Sequence, residues 1–333
     1  MKVLCRPWLT AAVLAATSLS ATGLATTAAE AQRLRFTTSQ VNPNEPIVVA
    51  MKTFADRVKD RTGGALEIEV LTGDQLGPQK KVNEMVLSGA AIMSATDYGQ
   101  LSTFVPDVSI IAGPYVFRDV AAADTFFDSD VFRGMTDQLE ARGLKVIMPD
   151  GLFGLRHVIG PKPYRSPADM AGVTIRVPNS PVMLATFSAF GARPTELPWG
   201  DVYNALQSNV VDAAEAPFGS IAGAKIQETR KVISKTGHQM MFTAWITSKA
   251  VFDRLDPAQQ AILLEEGARI AGELTQMTLD TDDKYAAELK AQGVEIVEDV
   301  DVGAFKAAAK GAFDKVPGLT PGMVDKVRAV VPE

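Results

Sequence analysis

Residues 256–292 are the longest stretch of this 333-residue chain that reads as one helix. Pro257 sits just inside the start, where its missing N–H does no harm, and the only interior glycines are Gly267 and Gly272. Ala, Glu, Leu and Gln, all good helix formers, fill the rest. About 37 residues at ~1.5 Å each give about 55 Å. That exceeds one small domain, so the helix is expected to brace two. The length of the chain agrees, at ~150 residues per domain.

The elements before it alternate. Residues 33–38 read as a strand. Residues 46–60 read as a helix with Val49, Phe54 and Val58 toward a core. In 66–71, Leu66, Ile68 and Val70 alternate with Glu67 and Glu69, a period-two strand, and Gly63-Gly64 stops the helix before it. Residues 79–88 form a helix ended by Gly89, and 91–95 a short apolar strand. This order favours a mostly parallel sheet covered by helices. A similar pattern restarts after Gly151, with strands at 154–159 and 173–177, helices at 182–190 and 201–207, and an apolar run 210–214 ending at Glu215. There is no repeat, low-complexity segment or linker, so the chain is expected to cross between domains more than once.

The first 31 residues read as a cleaved secretory signal peptide rather than a membrane anchor. Lys2 and Arg6 give a positive start, 8–25 is apolar and uncharged, and Ala29-Glu30-Ala31 is a small-x-small cleavage site before Gln32. The segment is weaker than the ~20 strongly apolar residues a span needs. Cys5, the only cysteine, leaves with it, so the exported chain has no disulfide and is held by its core. The leader's own charge is +1, so the remainder carries −7 against −6 for the whole chain. Such a balance argues against nucleic acid as the main partner, but not against a local pocket for a small anion. Apolar residues at 47% and charged residues at 22% exclude disorder, collagen and coiled coil as descriptions of the whole.

Enzyme signatures are absent. Outside the leader there are two histidines, His157 and His238, and no cysteine, which removes Cys nucleophiles and most zinc sites. No H-E-x-x-H, G-x-S-x-G, P-loop or G-x-G-x-x-G occurs. Lys235-Thr236-Gly237 has no S-x-x-K to accompany it. Asp280, Asp282 and Asp283 fall inside the helical pattern without a turn glycine, as a solvated face does, rather than a calcium loop.

The informative stretch is 156–217. Arg176 stands at the C-terminal end of the alternating strand 173–177, just before Pro178, where ligands bind in an α/β sheet. Its planar fork suits a carboxylate. Arg156 opens an earlier strand, and with no local acid the two make a small anion pocket. The alternative for each is an ordinary surface or salt-bridged arginine.

Four runs carry a resemblance: Gly172-Val173-Thr174-Ile175-Arg176-Val177-Pro178-Asn179, Phe190-Gly191-Ala192-Arg193-Pro194-Thr195, Trp199-Gly200-Asp201-Val202-Tyr203-Asn204-Ala205-Leu206-Gln207, and Val211-Asp212-Ala213-Ala214-Glu215. Phe54-Ala55-Asp56-Arg57-Val58, Gln75-Leu76-Gly77 and Pro114-Tyr115-Val116-Phe117 support it. In order and spacing they resemble the solute-binding proteins of tripartite ATP-independent periplasmic (TRAP) transporters, of the dicarboxylate-binding type. The resemblance covers nearly all of the exported chain. It implies an α/β fold of two lobes, each a mixed sheet flanked by helices, joined by the long helix and closing as a clamp on one small organic acid. Lobe I is expected from 32–153 plus 242–281, and lobe II from 154–241 plus 282–333. The family's carboxylate-binding arginine falls on Arg176, with Arg156 assisting. Asn179, Trp199 as an aromatic wall, and Glu215 fall at further ligand positions. Ser39, Gln79 and Asp97 fall at positions that contact the distal end of the ligand. One position departs: many members carry an asparagine donor after the glutamate, where this chain has Ala216.

The resemblance implies capture of an organic acid in the periplasm, foremost a sugar acid, for a membrane permease with a small and a large subunit. It implies no catalysis; no cofactor or metal is expected, the charge speaks against nucleic acid, and a monomer is the default expectation. A C4-dicarboxylate is the alternative ligand. A basic contact for a second carboxylate would favour it, and an acid such as Asp97 disfavours it. An exported carboxylate-processing enzyme is a further alternative. Its base would have to be His157, which on a strand faces away from its neighbour Arg156. A receptor-presented sensor uses the same clamp and is not separable from transport.

Overall fold

The computed structural model describes residues 32–331. The signal-peptide expectation, with Cys5, Lys2 and Arg6, lies outside the described residues. Among the described residues no helix is long and apolar enough to cross a membrane.

Nine strands are described: β1 Gln32–Thr37, β2 Leu66–Leu71, β3 Ile92–Asp97, β4 Leu144–Gly160, β5 Thr174–Val177, β6 Arg193–Glu196, β7 Ala214–Ala216, β8 Val232–Ser248 and β9 Glu295–Val297. Seven make one sheet in the order β2-β1-β3-β8-β4-β7, with β9 paired to β8. β5 and β6 form a separate parallel pair, tied to the segment before β7 by an Ile175–Ala213 bridge.

The βαβ order does give parallel pairing of β1 with β2 and β3. The mostly parallel sheet expected from it is corrected by β8, which inserts antiparallel to both β3 and β4. β7 is antiparallel to β4 as well. β4 and β8 are 17 residues each. Pro149, Asp150 and Gly151, which locally read as a break, lie within β4. The ladder shifts register there and at three other places, and such bulges bend a strand without ending it.

The helix Pro257–Ala291 is unbroken over 35 residues, about 53 Å at ~1.5 Å per residue. Asp256 caps it through Ala258 N and Gln259 N, and Gln259 returns the bond to the Asp256 N–H, a capping box. Leu263, Ile270 and Leu274 pack with Phe36, Phe54 and Trp245 of one core, while Tyr285 and Leu289 pack with Phe218 and Ile221 of another. One rigid element thus serves two cores. Gly267 permits its closest approach: a Cβ there would lie 2.2 Å from the Ile147 carbonyl oxygen. Arg57 and Arg61, on the helix Pro46–Arg61, tie it down through Glu273 and Glu266. On that helix Ile47, Val48, Met51, Phe54 and Val58 are buried. The inward residue is Val48, not Val49, which is 36% exposed. Asp280 and Asp283 are exposed on the long helix and Asp282 is half-buried.

A third core joins Phe117, Phe126, Phe127 and Phe242 to Phe187, Phe190 and Phe305. The C-terminal segment, counted with lobe II from the sequence, returns to the lobe I range: Thr320 donates to buried Asp107 from N and Oγ1, both at 2.8 Å, and the helix Met323–Val330 lies against 106–112 and 120–141.

Candidate functional site

Two walls face each other across a cavity of about 60 Å³. It opens through a chamber of about 540 Å³, and the two share Ser39, Gln79, Gln100, Arg176, Pro178 and Trp199.

Arg176 reaches the cavity from the end of β5 and is 3% exposed. Its Nε and Nη2 donate to the Leu197 carbonyl at 2.9 and 2.8 Å. Its guanidinium carbon lies 5.4 Å from the centre of the Trp199 ring, within cation–π range. A guanidinium carries five N–H donors, so three are left without a partner among the described residues. Among the described residues no carboxylate pairs with it. Burial lowers its pKa from 12.5 to about 10; Glu215, Asp97 and Asp74 partly oppose this, and Arg156 adds to it.

Arg156, on β4, is differently placed. Its Nε and Nη2 donate to the two carboxylate oxygens of Glu215, Nη2 at 2.6 Å and also to the Glu215 carbonyl at 2.9 Å. Its Nη1 meets Met241 Sδ at 2.8 Å. Burial disfavours its charge, but Glu215 outweighs that and holds its pKa above the ordinary value. Glu215 is wholly buried behind Arg156, so it orients the arginine rather than facing the cavity itself. Burial would raise its pKa, but Arg156 and His238 bring it down to about 2. His238 stays neutral, its pKa lowered by burial: Nε2 lies 3.2 Å from Glu215 Oε2, and Nδ1 2.8 Å from Thr236 Oγ1. Two arginines and one carboxylate leave one positive charge on this wall, and it sits on Arg176.

His157 turns away from the cavity. Its ring centre lies 4.8 Å from that of Phe218, Nδ1 accepts from Gly237 N at 3.1 Å, and burial lowers its pKa to about 3. It is a neutral packing residue.

Within the inner cavity the facing wall carries one charged residue, Asp97; the outer chamber adds Asp74, Lys80, Lys81 and Glu84. Asp97, at the end of β3, caps the short helix Tyr98–Leu101: Oδ1 accepts from Gln100 N at 3.1 Å and Oδ2 from Gln100 Nε2 at 2.8 Å. Gln79 turns its amide back onto Asn83 and Ser94, leaving its carbonyl end for the cavity. Ser39 lines both chambers. Asn179 lines only the outer one, where Nδ2 donates to Glu196 at 2.8 Å. Trp199 stands between the two, its buried Nε1 without a partner. Where the resemblance led one to look for a donor, Ala216 makes an apolar patch with Pro217, Phe153 and Met241.

Sequence reasoning missed Thr38, Gln40, Thr96, Gln100, Ser220 and Thr243, all on the cavity wall. Only Gln100 carried a local signal, standing three residues after the capping Asp97. Among the described residues no group of three or more His, Cys, Asp or Glu could hold a metal ion.

Comparison with known proteins gives a consistent picture. The family model "Bacterial extracellular solute-binding protein, family 7" matches residues 37–317. The 2,3-diketo-L-gulonate-binding periplasmic protein YiaO of Escherichia coli (strain K12) is 30% identical over 87% of this chain and 88% of its own. A TRAP periplasmic solute-binding protein from Ochrobacterium anthropi, solved with L-fuconate, is 31% identical over 91% of this chain and 100% of that one, with a TM-score of 0.87. Another, from Desulfovibrio salexigens DSM2638 in complex with diglycerolphosphate, is 28% identical over 90% and 96%, with a TM-score of 0.86.

Proposed function

The chain belongs to family 7 of the bacterial extracellular solute-binding proteins, those of TRAP transporters, and from that premise we propose that it captures a sugar acid in the periplasm and hands it to a TRAP permease of a small and a large membrane subunit. The observation that carries the reading is Arg176, a buried guanidinium with three free N–H donors and no carboxylate partner. A ligand carboxylate completes it, bidentate and charge-assisted. Arg156, held by Glu215, offers its remaining Nη1 donor.

The rest of the ligand follows from the facing wall. Ser39, Gln79, Asp97 and Gln100 accept and donate hydrogen bonds as hydroxyl groups require. Asp97 repels a second carboxylate inside the cavity, whose lining has no cation besides the two arginines, and Lys80 and Lys81 stand only in the outer chamber; this disfavours a C4-dicarboxylate. The size fits: about 60 Å³ at roughly 10–15 Å³ per water centre holds about four to six waters, the bulk of a five- or six-carbon acid. Trp199 offers an apolar wall to the C–H face of a polyol. Relatives that bind diketogulonate and L-fuconate support a sugar acid.

Closure is the signal to the permease. The ligand touches both walls only when they meet, so it favours the closed state. Across the cleft Ser220 Oγ donates to Glu45 Oε1 at 2.8 Å, and Gly200 N donates to Asp74. Nothing beside Arg176 pairs a nucleophile with a base, since His157 is turned away. The protein is a carrier without catalysis or cofactor, working as a monomer after removal of its leader near Gln32.

The test is a thermal-shift panel on the protein from Gln32 onward. It covers aldonates, uronates, keto-sugar acids, C4-dicarboxylates, glycerol phosphates and neutral sugars. At a hundredfold excess over Kd, binding adds ~2.7 kcal/mol, a shift of about 4 °C or more at this size. A shift with one class of sugar acid, lost in Arg176→Ala, is expected. A shift only with dicarboxylates or only with phosphates refutes the sugar-acid reading.

A further inference from the structure

We propose that Glu45 is a positioning residue of the cleft: whether its carboxyl carries a proton decides which end of the Gln40 amide is turned to the ligand. The proposal rests on the sugar-acid reading above. Glu45 immediately precedes the helix Pro46–Arg61, is 4% exposed, and has no cation beside it among the described residues. Its two oxygens meet two neutral groups, and both of those residues line the cavity. Ser220, on the helix Phe218–Gly223 across the cleft, donates to Oε1 at 2.8 Å. One terminal atom of the Gln40 amide lies 3.2 Å from Oε2 and 3.3 Å from Oε1, and the amide donates to both when its NH₂ is the end placed there.

The amide has two orientations with opposite requirements. With its NH₂ on Glu45 it satisfies a carboxylate and shows its carbonyl to the cavity. Turned over, its carbonyl lies against the carboxyl, and two acceptors face each other unless Glu45 holds a proton. The proton makes that contact a hydrogen bond and leaves the NH₂ for the ligand. A single proton thus switches Gln40 between acceptor and donor toward the bound hydroxyls.

The surroundings put this proton in reach near neutral pH. Burial without a compensating cation raises the Glu45 pKa from 4.5 to about 7, against the opposing Ser220 bond. Titratable groups face it only from the helix Pro257–Ala291: Tyr285 and Asp282 share a small chamber with it behind the cavity wall. Burial and then the Glu45 charge raise Tyr285. Burial and Asp283 raise Asp282, and Lys235 opposes that. Neither residue brings a positive charge. The helix Phe218–Gly223 and the segment 38–44 present no titratable group to it.

When the clamp opens, Glu45 leaves Ser220 and meets water, which returns it toward the ordinary carboxylate range. Closing therefore takes up a proton between about pH 4.5 and 7. Affinity is highest at the acid end of that window and falls as pH rises through 7. The ligand carboxylate, with a pKa of ~3.5, stays ionised throughout.

Titration calorimetry of L-fuconate and L-galactonate tests this, run at pH 6.5 in two buffers of different ionisation enthalpy and repeated from pH 5.5 to 7.5. Wild type is expected to take up roughly half a proton or more per ligand at pH 6.5 and to bind about tenfold more weakly at pH 7.5 than at 5.5. Glu45→Gln keeps an acceptor for Ser220 and a donor for the Gln40 carbonyl. It should bind at pH 7.5 as wild type does at 5.5, with no proton uptake and no slope. Asp282→Asn should keep the wild-type slope. Proton-silent binding by wild type, which needs no variant to observe, or a slope that survives in Glu45→Gln overturns the role of Glu45 and leaves the sugar-acid reading intact. Failure of both acids to bind at any pH removes both together.

Discussion

The two arginines of the cleft make opposite demands on the protein, and replacing each by methionine separates them. Arg156 is paired. Arg156→Met leaves Glu215 fully buried without its counter-ion, and breaking such a pair costs about 3–5 kcal/mol. Arg176 is not paired. The fall of its pKa from 12.5 to about 10, at about 1.4 kcal/mol per pKa unit, corresponds to about 3 kcal/mol against its charge in the empty protein. Arg176→Met relieves that strain. It also orphans the Leu197 carbonyl, at about 1–3 kcal/mol, and removes the contact with Trp199, at about 0.5–2 kcal/mol. The terms nearly cancel. In the absence of ligand, Arg176→Met should melt within about 3 °C of wild type, while Arg156→Met should melt about 6–10 °C lower, at about 2 °C per kcal/mol for this size. Binding reverses the emphasis. Arg176→Met loses the anchor, at ~2–5 kcal/mol, roughly 30- to 5,000-fold in Kd. Differential scanning calorimetry with and without the acid from the panel reads both quantities. An equal loss of stability in the two variants, or an Arg176→Met protein that binds like wild type, refutes the account of Arg176 as a charge waiting for its partner.

Other outcomes follow from the same geometry. Glu215, whose pKa falls from 4.5 to about 2 in the fold, contributes about 3 kcal/mol that is present above pH 4.5 and lost as pH falls toward 2. Glu215→Gln should lack that part of the acid-denaturation limb and bind more weakly at pH 7, and an acid limb parallel to wild type would exclude this role. Arg176→Lys should bind as poorly as Arg176→Met, because an ammonium cannot replace the fork; affinity within threefold of wild type would count against bidentate capture. Asp97→Asn should weaken sugar acids by about tenfold or more while narrowing the gap to C4-dicarboxylates, as competition binding would show, and an unchanged ratio would remove Asp97 from ligand selection.

The long helix was legible because its signals are local: a Pro at the first position and a long run of helix formers. Arg176 was legible for a related reason, since the alternation of β5 and the break at Pro178 fix its place at a strand end. β8 was not. It runs from Ile233 in the second core, through a polar stretch around Gly237 and His238, into the buried Phe242 and Trp245, so no single period describes it. Its partners lie some 80 and 150 residues away in the chain. Only the far part of β4, 154–159, was legible, because Pro149, Asp150 and Gly151 within it are residues that a turn also uses. The roles of Arg156 and Glu215 differ for a reason no local pattern carries: one carboxylate lies behind one of two similar arginines. Thr38, Gln40 and Thr96 look like ordinary strand-end and loop residues until β8 brings Thr243 beside them.

The placement of β8 also governs when this chain can fold. β3 and β4 flank it in the sheet, yet both precede it in sequence, β3 by more than a hundred residues. Until residues 232–248 have been synthesised, neither strand has its central partner, and the first core still lacks Trp245 and the helix that covers it. Closing such distant pairings is slow, and half-finished sheets expose open edges. Completion of the sheet therefore waits on the last third of the chain: until residues 232–291 are in place, β3 and β4 lack their central partner and the first core lacks its covering helix.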